Sequence, residues 1–244
     1  MSKGQNLPRA QSGGSAKPPE VAISGATGLV GRRLVQKALE RYNVRVLCRD
    51  EARARRQIAQ RGSYAGATPR RVEFFGPGEW SRGIGGADAV VCLNGRSLIT
   101  RWTDEIKSEI ELSRVRAVER VAFLVNGLPE QRRPFVLVSA SAVGVYGDMT
   151  GTEELRGESG PIGDRESDFL VRVCCNWEQA SRQAACRAVQ ARLGIVLSEK
   201  GGALASMAPA FQLGVGGPIG RGQQPVSWIE RCVSIVVANR TLLW

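Results

Sequence analysis

The stretch Gly25-Ala26-Thr27-Gly28-Leu29-Val30-Gly31 narrows the folds open to this chain more than any other. It follows the apolar run Val21-Ala22-Ile23-Ser24 and opens a helical pattern through Leu34, Val35, Ala38 and Leu39. Each glycine has a task in such a turn. Gly25 makes the tight bend, Gly28 lets the backbone approach a pyrophosphate, and Gly31 lets helix and strand pack closely. The helix N-terminus then offers unpaired N–H groups and a positive dipole end to an anion. The second strand-like run, Val44-Arg45-Val46-Leu47-Cys48, completes a strand, turn, helix, strand unit. This context predicts an α/β fold with a doubly wound parallel sheet that binds a dinucleotide.

Roughly 20 residues beyond such a glycine turn, a chain that prefers NAD(H) places an acid against the ribose 2′-hydroxyl. Here Cys48 is followed by Arg49, and Arg53, Arg55 and Arg56 come next. A guanidinium pairs two-point with a 2′-phosphate, so NADP(H) is the expected cofactor. Asp50 keeps NAD(H) open as the alternative. A third strand is predicted at 71–75 and a fourth at 89–93, running into Asn94-Gly95. Strand ends on this side of a parallel sheet line the ligand crevice, so Leu93, Asn94 and Gly95 join Gly25, Thr27, Gly28, Leu29, Val30, Gly31 and Arg49 as cofactor residues.

A long helix is predicted from about Thr103 to Val125, with Ile106, Ile110, Val115, Val118 and Val121 on one stripe. A fifth strand, Phe135 to Val138, runs into Ser139-Ala140-Ser141-Ala142-Val143-Gly144-Val145-Tyr146-Gly147. A serine at that strand end can donate to a carbonyl on the nicotinamide side or cap a turn; Ser139 is assigned to the cofactor side. A helix at 165–188 carrying Phe169, Val173, Trp177 and Ala180 inward, then a sixth strand at 189–197, complete the alternation.

The net charge of +11, carried almost wholly by arginine, favours anionic partners. The bases are scattered and few aromatics interleave with them, so nucleic-acid binding is only a minor alternative. The six cysteines (Cys48, Cys92, Cys174, Cys175, Cys186, Cys232) form no CxxC pair and no metal-type spacing, which suggests reduced thiols and no metal. No apolar run is long enough to span a bilayer. The chain is expected to be soluble and intracellular, in a plastid or the cytoplasm. Residues 1–19 hold no acid and are expected to form a disordered tail or the remnant of a targeting segment.

The fingerprint over residues 20 to 229 resembles the extended short-chain dehydrogenase/reductases, in their atypical epimerase-like group, which includes the plant plastid-division factor Giant Chloroplast, a SulA-like protein. It comprises the glycine turn, Arg101-Trp102, Ser113-Arg114, Val138 to Gly144, Trp177-Glu178, Gly201-Gly202-Ala203-Leu204, Gly216-Gly217-Pro218-Ile219-Gly220 and Ser227-Trp228-Ile229. The resemblance implies an NAD(P)-binding Rossmann domain over 20–244, with a small substrate lobe from about 145–168 and 199–244. It places Ser141 at the superfamily's catalytic serine.

The superfamily's Tyr-x-x-x-Lys is missing: the candidate registers Phe169 to Val173 and Leu170 to Cys174 offer neither phenol nor amine. Tyr146, Asp148 and Cys174 are the substitutes considered, and Tyr146 joins Ser141 as the catalytic candidates. Ordinary ketoreductase chemistry is therefore expected to be weak or absent, with a non-catalytic cofactor-binding regulator or assembly factor, for which the resemblance implies a plastid role, as the alternative to an NADP-dependent oxidoreductase or epimerase. The partners expected are the dinucleotide and either a small-molecule substrate or a protein. The family-like Asn-Leu-Ala-Gly-Glu reads Cys92-Leu93-Asn94-Gly95-Arg96 here, and after Ser-Trp-Ile the sequence reads Glu230-Arg231-Cys232 and stops at Trp244. On the resemblance the substrate lobe is incomplete, as in a truncated or alternatively spliced product. Apolar surface around Met207, Phe211, Val226 and Trp228 is then uncovered, and self-association is expected.

Overall fold

The computed structural model describes residues 18–59, 71–148, 157–218, 220–222 and 224–231. The expected tail through residue 17, Cys232, Ile219 of the fingerprint, and the stretches 149–156 and 232–244 of the expected substrate lobe lie outside the described residues.

Strands and helices alternate through the sixth strand, with a short helix between the third and fourth strands that the sequence pattern does not predict. In chain order they are β1 (Glu20–Ser24), α1 (Leu29–Ala38), β2 (Asn43–Leu47), α2 (Glu51–Ala59), β3 (Val72–Phe75), α3 (Trp80–Ile84), β4 (Ala89–Cys92), α4 (Asp104–Asn126), β5 (Val136–Ala142), α5 (Phe169–Arg182), β6 (Arg187–Leu193), β7 (Ile195–Leu197), α6 (Gly202–Gln212) and β8 (Trp228–Glu230). Six strands form one sheet in the order β3-β2-β1-β4-β5-β6, and every pairing in it is parallel. β1, β4 and most of β5 are buried along their length, which is why they read as near-continuous apolar runs rather than alternating ones. One face packs Val21, Ile23, Val44, Val46 and Val91 against Leu34, Val35, Ala38, Ala54 and Ile58 of α1 and α2. The other packs Ala22, Val90 and Leu137 against Trp80 and Ile84 of α3, Val118, Val121 and Val125 of α4, and Trp177 and Ala180 of α5. Helices on both faces of a parallel sheet make this a doubly wound, Rossmann-type α/β fold.

Two helices on the second face start with side-chain caps. Thr103 Oγ1 accepts from the Ile106 N–H at 3.3 Å, and Asp168 Oδ1 accepts from Leu170 and Val171 at 2.8 and 3.3 Å. The Asp168 cap starts α5 four residues later than the sequence pattern suggests. An Asp168→Ala variant is expected to lose about 1 kcal/mol of stability, read as a lower urea midpoint at unchanged m-value.

Three further boundaries differ from the sequence expectation. β5 continues to Ala142 because β6 runs alongside it in register, with Ser139 opposite Gln190 and Ser141 opposite Arg192. The ladder thus takes the two serines into the strand instead of the turn after it. α5 ends at Arg182, and the residues expected to prolong it supply the start of β6. The sixth strand, expected unbroken over 189–197, divides at Gly194, where any Cβ would lie 2.7 Å from the Ser227 carbonyl oxygen. Beyond that point β7 pairs with β8 in a separate two-stranded sheet.

α6 was marked in the sequence only by its leading glycines. Gly201 and Gly202 adopt φ of +148° and +75°, and a Cβ at Gly202 would meet the Leu29 side chain at 3.1 Å. The turn into α6 therefore sits over the first residue of α1. No residue of α6 is buried. Met207, Phe211, Val226 and Trp228 are all exposed, Phe211 and Trp228 to 62%. Among the described residues no helix is long and apolar enough to cross a membrane.

Candidate functional site

The glycine turn and the end of β4 are built against each other. Gly25, at φ +74°, approaches so closely that a Cβ would lie 2.6 Å from the Leu93 carbonyl and 2.9 Å from the Asn94 nitrogen. The fully buried Ser24 hydroxyl donates to Asn94 Oδ1 at 2.5 Å, and the Leu93 N–H donates to the Ser24 carbonyl at 3.0 Å. Ser24 is a contributor that the sequence reading passed over, because a serine closing an apolar strand carries no signal of its partner 70 residues away.

Inside the turn the Gly28 N–H donates to the Gly25 carbonyl at 3.0 Å. A Cβ on Gly31 would lie 2.2 Å from that same oxygen and 2.7 Å from Ala26 Cα. Gly28 differs: it is exposed, and a Cβ there would meet only the Gly25 oxygen, at 3.3 Å. Thr27, Leu29 and Val30 are half-buried, with Val30 packed against the core. Gly28 caps α1 without a side-chain hydrogen bond, and the first turn of α1 holds no acid. The first N–H groups of α1 thus lack the side-chain acceptor that Thr103 and Asp168 give α4 and α5, which suits the turn to an external anion.

At the end of β2, Arg49 is exposed and, among the described residues, has no ion-pair partner. Its neighbour Asp50 accepts from the Arg53 N–H at 2.9 Å, at the start of α2. Arg55 is occupied as well, 2.6 Å from Glu51 and stacked over Phe74. Cys48 faces inward, where burial pushes its thiol upward.

The β4–α4 loop is held by the fingerprint residues of α4. Ser113 Oγ accepts from the Arg96 N–H at 2.9 Å, and Arg114 Nη2 donates to the Arg96 carbonyl at 2.9 Å. The Arg96 side chain turns outward to Glu109. Gly95 lies against the Arg114 guanidinium, 3.2 Å from where a Cβ would stand.

The serines of β5 sit two strands from the glycine turn. Ser139 is fully buried and its hydroxyl donates to the Ala140 carbonyl at 3.0 Å. Ser141, also buried, donates at 2.8 Å to Oε1 of Glu178, a carboxylate only 3% exposed. Arg192 reaches the same carboxylate with Nε at 2.8 Å and Nη2 at 2.9 Å, and Arg182 joins it at 3.0 Å. Arg192 Nη1 then donates to the Tyr146 hydroxyl and the Glu158 carbonyl, both at 3.0 Å. Ser141 and Tyr146, the two catalytic candidates, thus belong to one network centred on Glu178 and Arg192. Burial pushes the Glu178 carboxyl upward, but the hydrogen bonds from Arg192 and Ser141 and the charges of Arg192 and Arg182 outweigh it, so it lies below the usual carboxylate range. The same carboxylate raises the Arg192 guanidinium above its ordinary value. Leu170 and Cys174 stand beside Gly144 on the facing side of α5, and burial pushes the Cys174 thiol up to about 11. Asp148 is exposed.

Residues 25–154 match the family model described as NAD(P)H-binding. An epimerase family protein of Arabidopsis thaliana, a chloroplastic SDR39U1 homologue, is 42% identical over 213 residues, covering 86% of this chain and 58% of its own length. The chain spans less than two thirds of the curated relatives it matches. The crystal structure of human epimerase family protein SDR39U1 (isoform 2) with NADPH is similar at a TM-score of 0.72 and 26% identity, over 91% of this chain and 70% of that one. A nucleoside-diphosphate sugar epimerase from Corynebacterium glutamicum is similar at a TM-score of 0.67 and 30% identity, over 93% and 44%. Glycine turn, parallel sheet and relatives agree: the chain belongs to the NAD(P)H-binding epimerase family, an atypical branch of the short-chain dehydrogenase/reductases.

Proposed function

We propose that the chain binds NADP(H) along the edge formed by the glycine turn, Leu93-Asn94-Gly95 and Arg49, and that it carries out little or no ordinary ketoreductase chemistry. The observation behind the cofactor choice is the division of labour at the end of β2. Asp50, the one acid placed to hold a ribose 2′-hydroxyl, serves the start of α2, while Arg49 is exposed and without an ion-pair partner among the described residues. That arrangement suits a 2′-phosphate. The similar human protein, crystallised with NADPH, supports the same choice. In this reading the pyrophosphate lies over Gly28 and the N–H groups of α1.

Calorimetric titration with NADPH and NADH tests the assignment. Arg49→Ala is expected to weaken NADPH about ten- to hundredfold and to leave NADH unchanged. Equal affinity of the unaltered protein for both cofactors would overturn it.

When bound, NADPH supplies a hydride. The reading that little turnover follows rests on the protons. No tyrosine in the chain is followed four residues later by lysine, and the Leu170 to Cys174 register offers no phenol or amine. Ser141 spends its one hydroxyl proton on Glu178 and presents only lone pairs elsewhere, so it is poorly suited to polarise a carbonyl. At about 11 the Cys174 thiol is no base at neutral pH. NADPH oxidation with ketones, aldehydes and sugar nucleotides is expected to stay at background while NADPH still binds.

The same locked serine favours a second reading, a cofactor-binding regulator or assembly factor. Pull-downs at varied NADP+/NADPH ratios test it, and a partner captured at one ratio only is the expected result. The chloroplastic Arabidopsis relative supports a plastid setting, which imaging of a fluorescent fusion of the full-length gene product would check.

A further inference from the structure

Arg114 carries a guanidinium that the fold surrounds without neutralising. Its Nη1 donates to the Ile110 carbonyl at 2.8 Å and its Nη2 to the Arg96 carbonyl at 2.9 Å, and it lies 5.5 Å from the centre of the Trp177 ring. Two of five N–H groups are thereby used, both on neutral oxygens. Arg45, Arg55, Arg96, Arg182 and Arg192 each have a carboxylate partner. Among the described residues none pairs with Arg114.

No neighbour makes up the deficit. Cys174 is close enough to interact with Arg114 electrostatically, but burial keeps it a neutral thiol, so it is no counter-ion. Burial also pushes the Arg114 guanidinium below its ordinary value, the direction expected of a cation taken from water without a partner. The indole N–H of Trp177, in the ring beside it, is buried with no acceptor among the described residues. This corner therefore collects positive charge and hydrogen-bond donors around a partly buried guanidinium, and among the described residues it holds no carboxylate to answer them.

Its place in the fold says which ligand the corner faces. Gly95, at the crevice edge, brings no side chain between the loop and the guanidinium, since a Cβ there would stand 3.2 Å from it. The preceding residues Leu93 and Asn94 touch Gly25 of the glycine turn. Arg49 and α1 lie on the β1–β2 side of that turn, whereas Arg114 and Trp177 lie on the β4–β5 side. On the cofactor reading above, the charges of a dinucleotide fall on the first side.

We propose that Arg114 anchors the anionic group, a carboxylate or a phosphate, of a second ligand bound beside the dinucleotide. The word "beside" rests on the cofactor reading above; the anion site itself does not. A planar guanidinium with free N–H groups suits two-point contact with either anion, and pairing it would offset the desolvation of the cation.

The test uses malonate and inorganic phosphate as probes, with chloride at matched ionic strength as control. Each is titrated into the full chain by tryptophan fluorescence and thermal shift, with and without saturating NADPH, alongside Arg114→Gln and Arg114→Lys. Saturable binding of one or both probes is expected, weakened about ten- to hundredfold in Arg114→Gln while NADPH affinity is kept. Arg114→Lys keeps the charge but loses the fork, so malonate should weaken more than phosphate; this variant decides the matter if Arg114→Gln does not fold. Probe binding equal in all three proteins, or no response beyond chloride, overturns the proposal. So does loss of NADPH affinity in Arg114→Gln without a probe site, since the anion would then be the dinucleotide's own. Failure of the unaltered protein to bind NADPH, with probe binding still dependent on Arg114, supports the anion site and overturns only the cofactor reading.

Discussion

Gly31→Ala is expected to destabilise the fold by about 3 kcal/mol, a large share of the 5–15 kcal/mol that holds a typical domain together. The added methyl would stand 2.2 Å from the Gly25 carbonyl oxygen and 2.7 Å from Ala26 Cα, both backbone atoms that no rotamer change can clear. Alanine's better helix propensity returns only about 1 kcal/mol. Gly28→Ala is the matched control: its methyl meets one oxygen at 3.3 Å, so the urea midpoint should hardly move. The same methyl lies on the exposed side where a pyrophosphate would sit, so NADPH binding should fall sharply. Urea melts and calorimetry on the two variants thus separate a glycine required by the fold from one required by the ligand. A Gly31→Ala protein as stable as its parent would mean that the turn can open without loss.

The second large effect is expected at Glu178. Glu178→Leu removes the carboxylate that pairs Arg192 and Arg182 and accepts from Ser141, and leaves Arg192 largely buried and uncompensated. Breaking a buried pair on one side costs about 3–5 kcal/mol, whereas replacing both charges by apolar groups is often neutral. The double variant Glu178→Leu/Arg192→Met should therefore recover much of what the single one loses. The pH dependence has a defined sign. Because the folded Glu178 carboxyl lies below its ordinary value of 4.5, its stabilising share is fully present above that value. It is lost as pH falls through the lower, folded value, where the native state also takes up the proton. Urea midpoints followed from neutral pH down through the carboxylate range should show a shallower acid limb in Glu178→Leu than in the parent. Limbs of equal slope would place the acid sensitivity elsewhere.

Much of the scaffold was legible because its causes are local. Val21 to Ser24 and Ala89 to Cys92 read as strands since both their faces are covered, and Thr103 marked the start of α4 because a cap is a contact three residues long. The serines of β5 and the centre of the polar network were not. Whether Ser141 stands in a strand or a turn is decided by β6, and Glu178 meets Arg192 across 14 residues and a change of layer. One trace was available: Glu178 follows Trp177 on the stripe of α5 that faces inward, and a carboxylate there needs a cationic partner. α6 escaped because it lacks the polar face from which a helical period is read.

The strand order carries a kinetic consequence. β1 lies inside the sheet between β2 and β4, so Val21 must wait for Ala89, 68 positions later, before its second edge is covered. A ribosome adding about 5–20 residues per second leaves that apolar edge open for several seconds at least, and parallel pairing across such distances is slow even afterwards. The first half of the chain therefore passes through an interval in which it resembles an aggregation-prone edge strand more than a cofactor site. Yield in the cell should respond to chaperone supply more steeply than the stability of the finished fold would suggest.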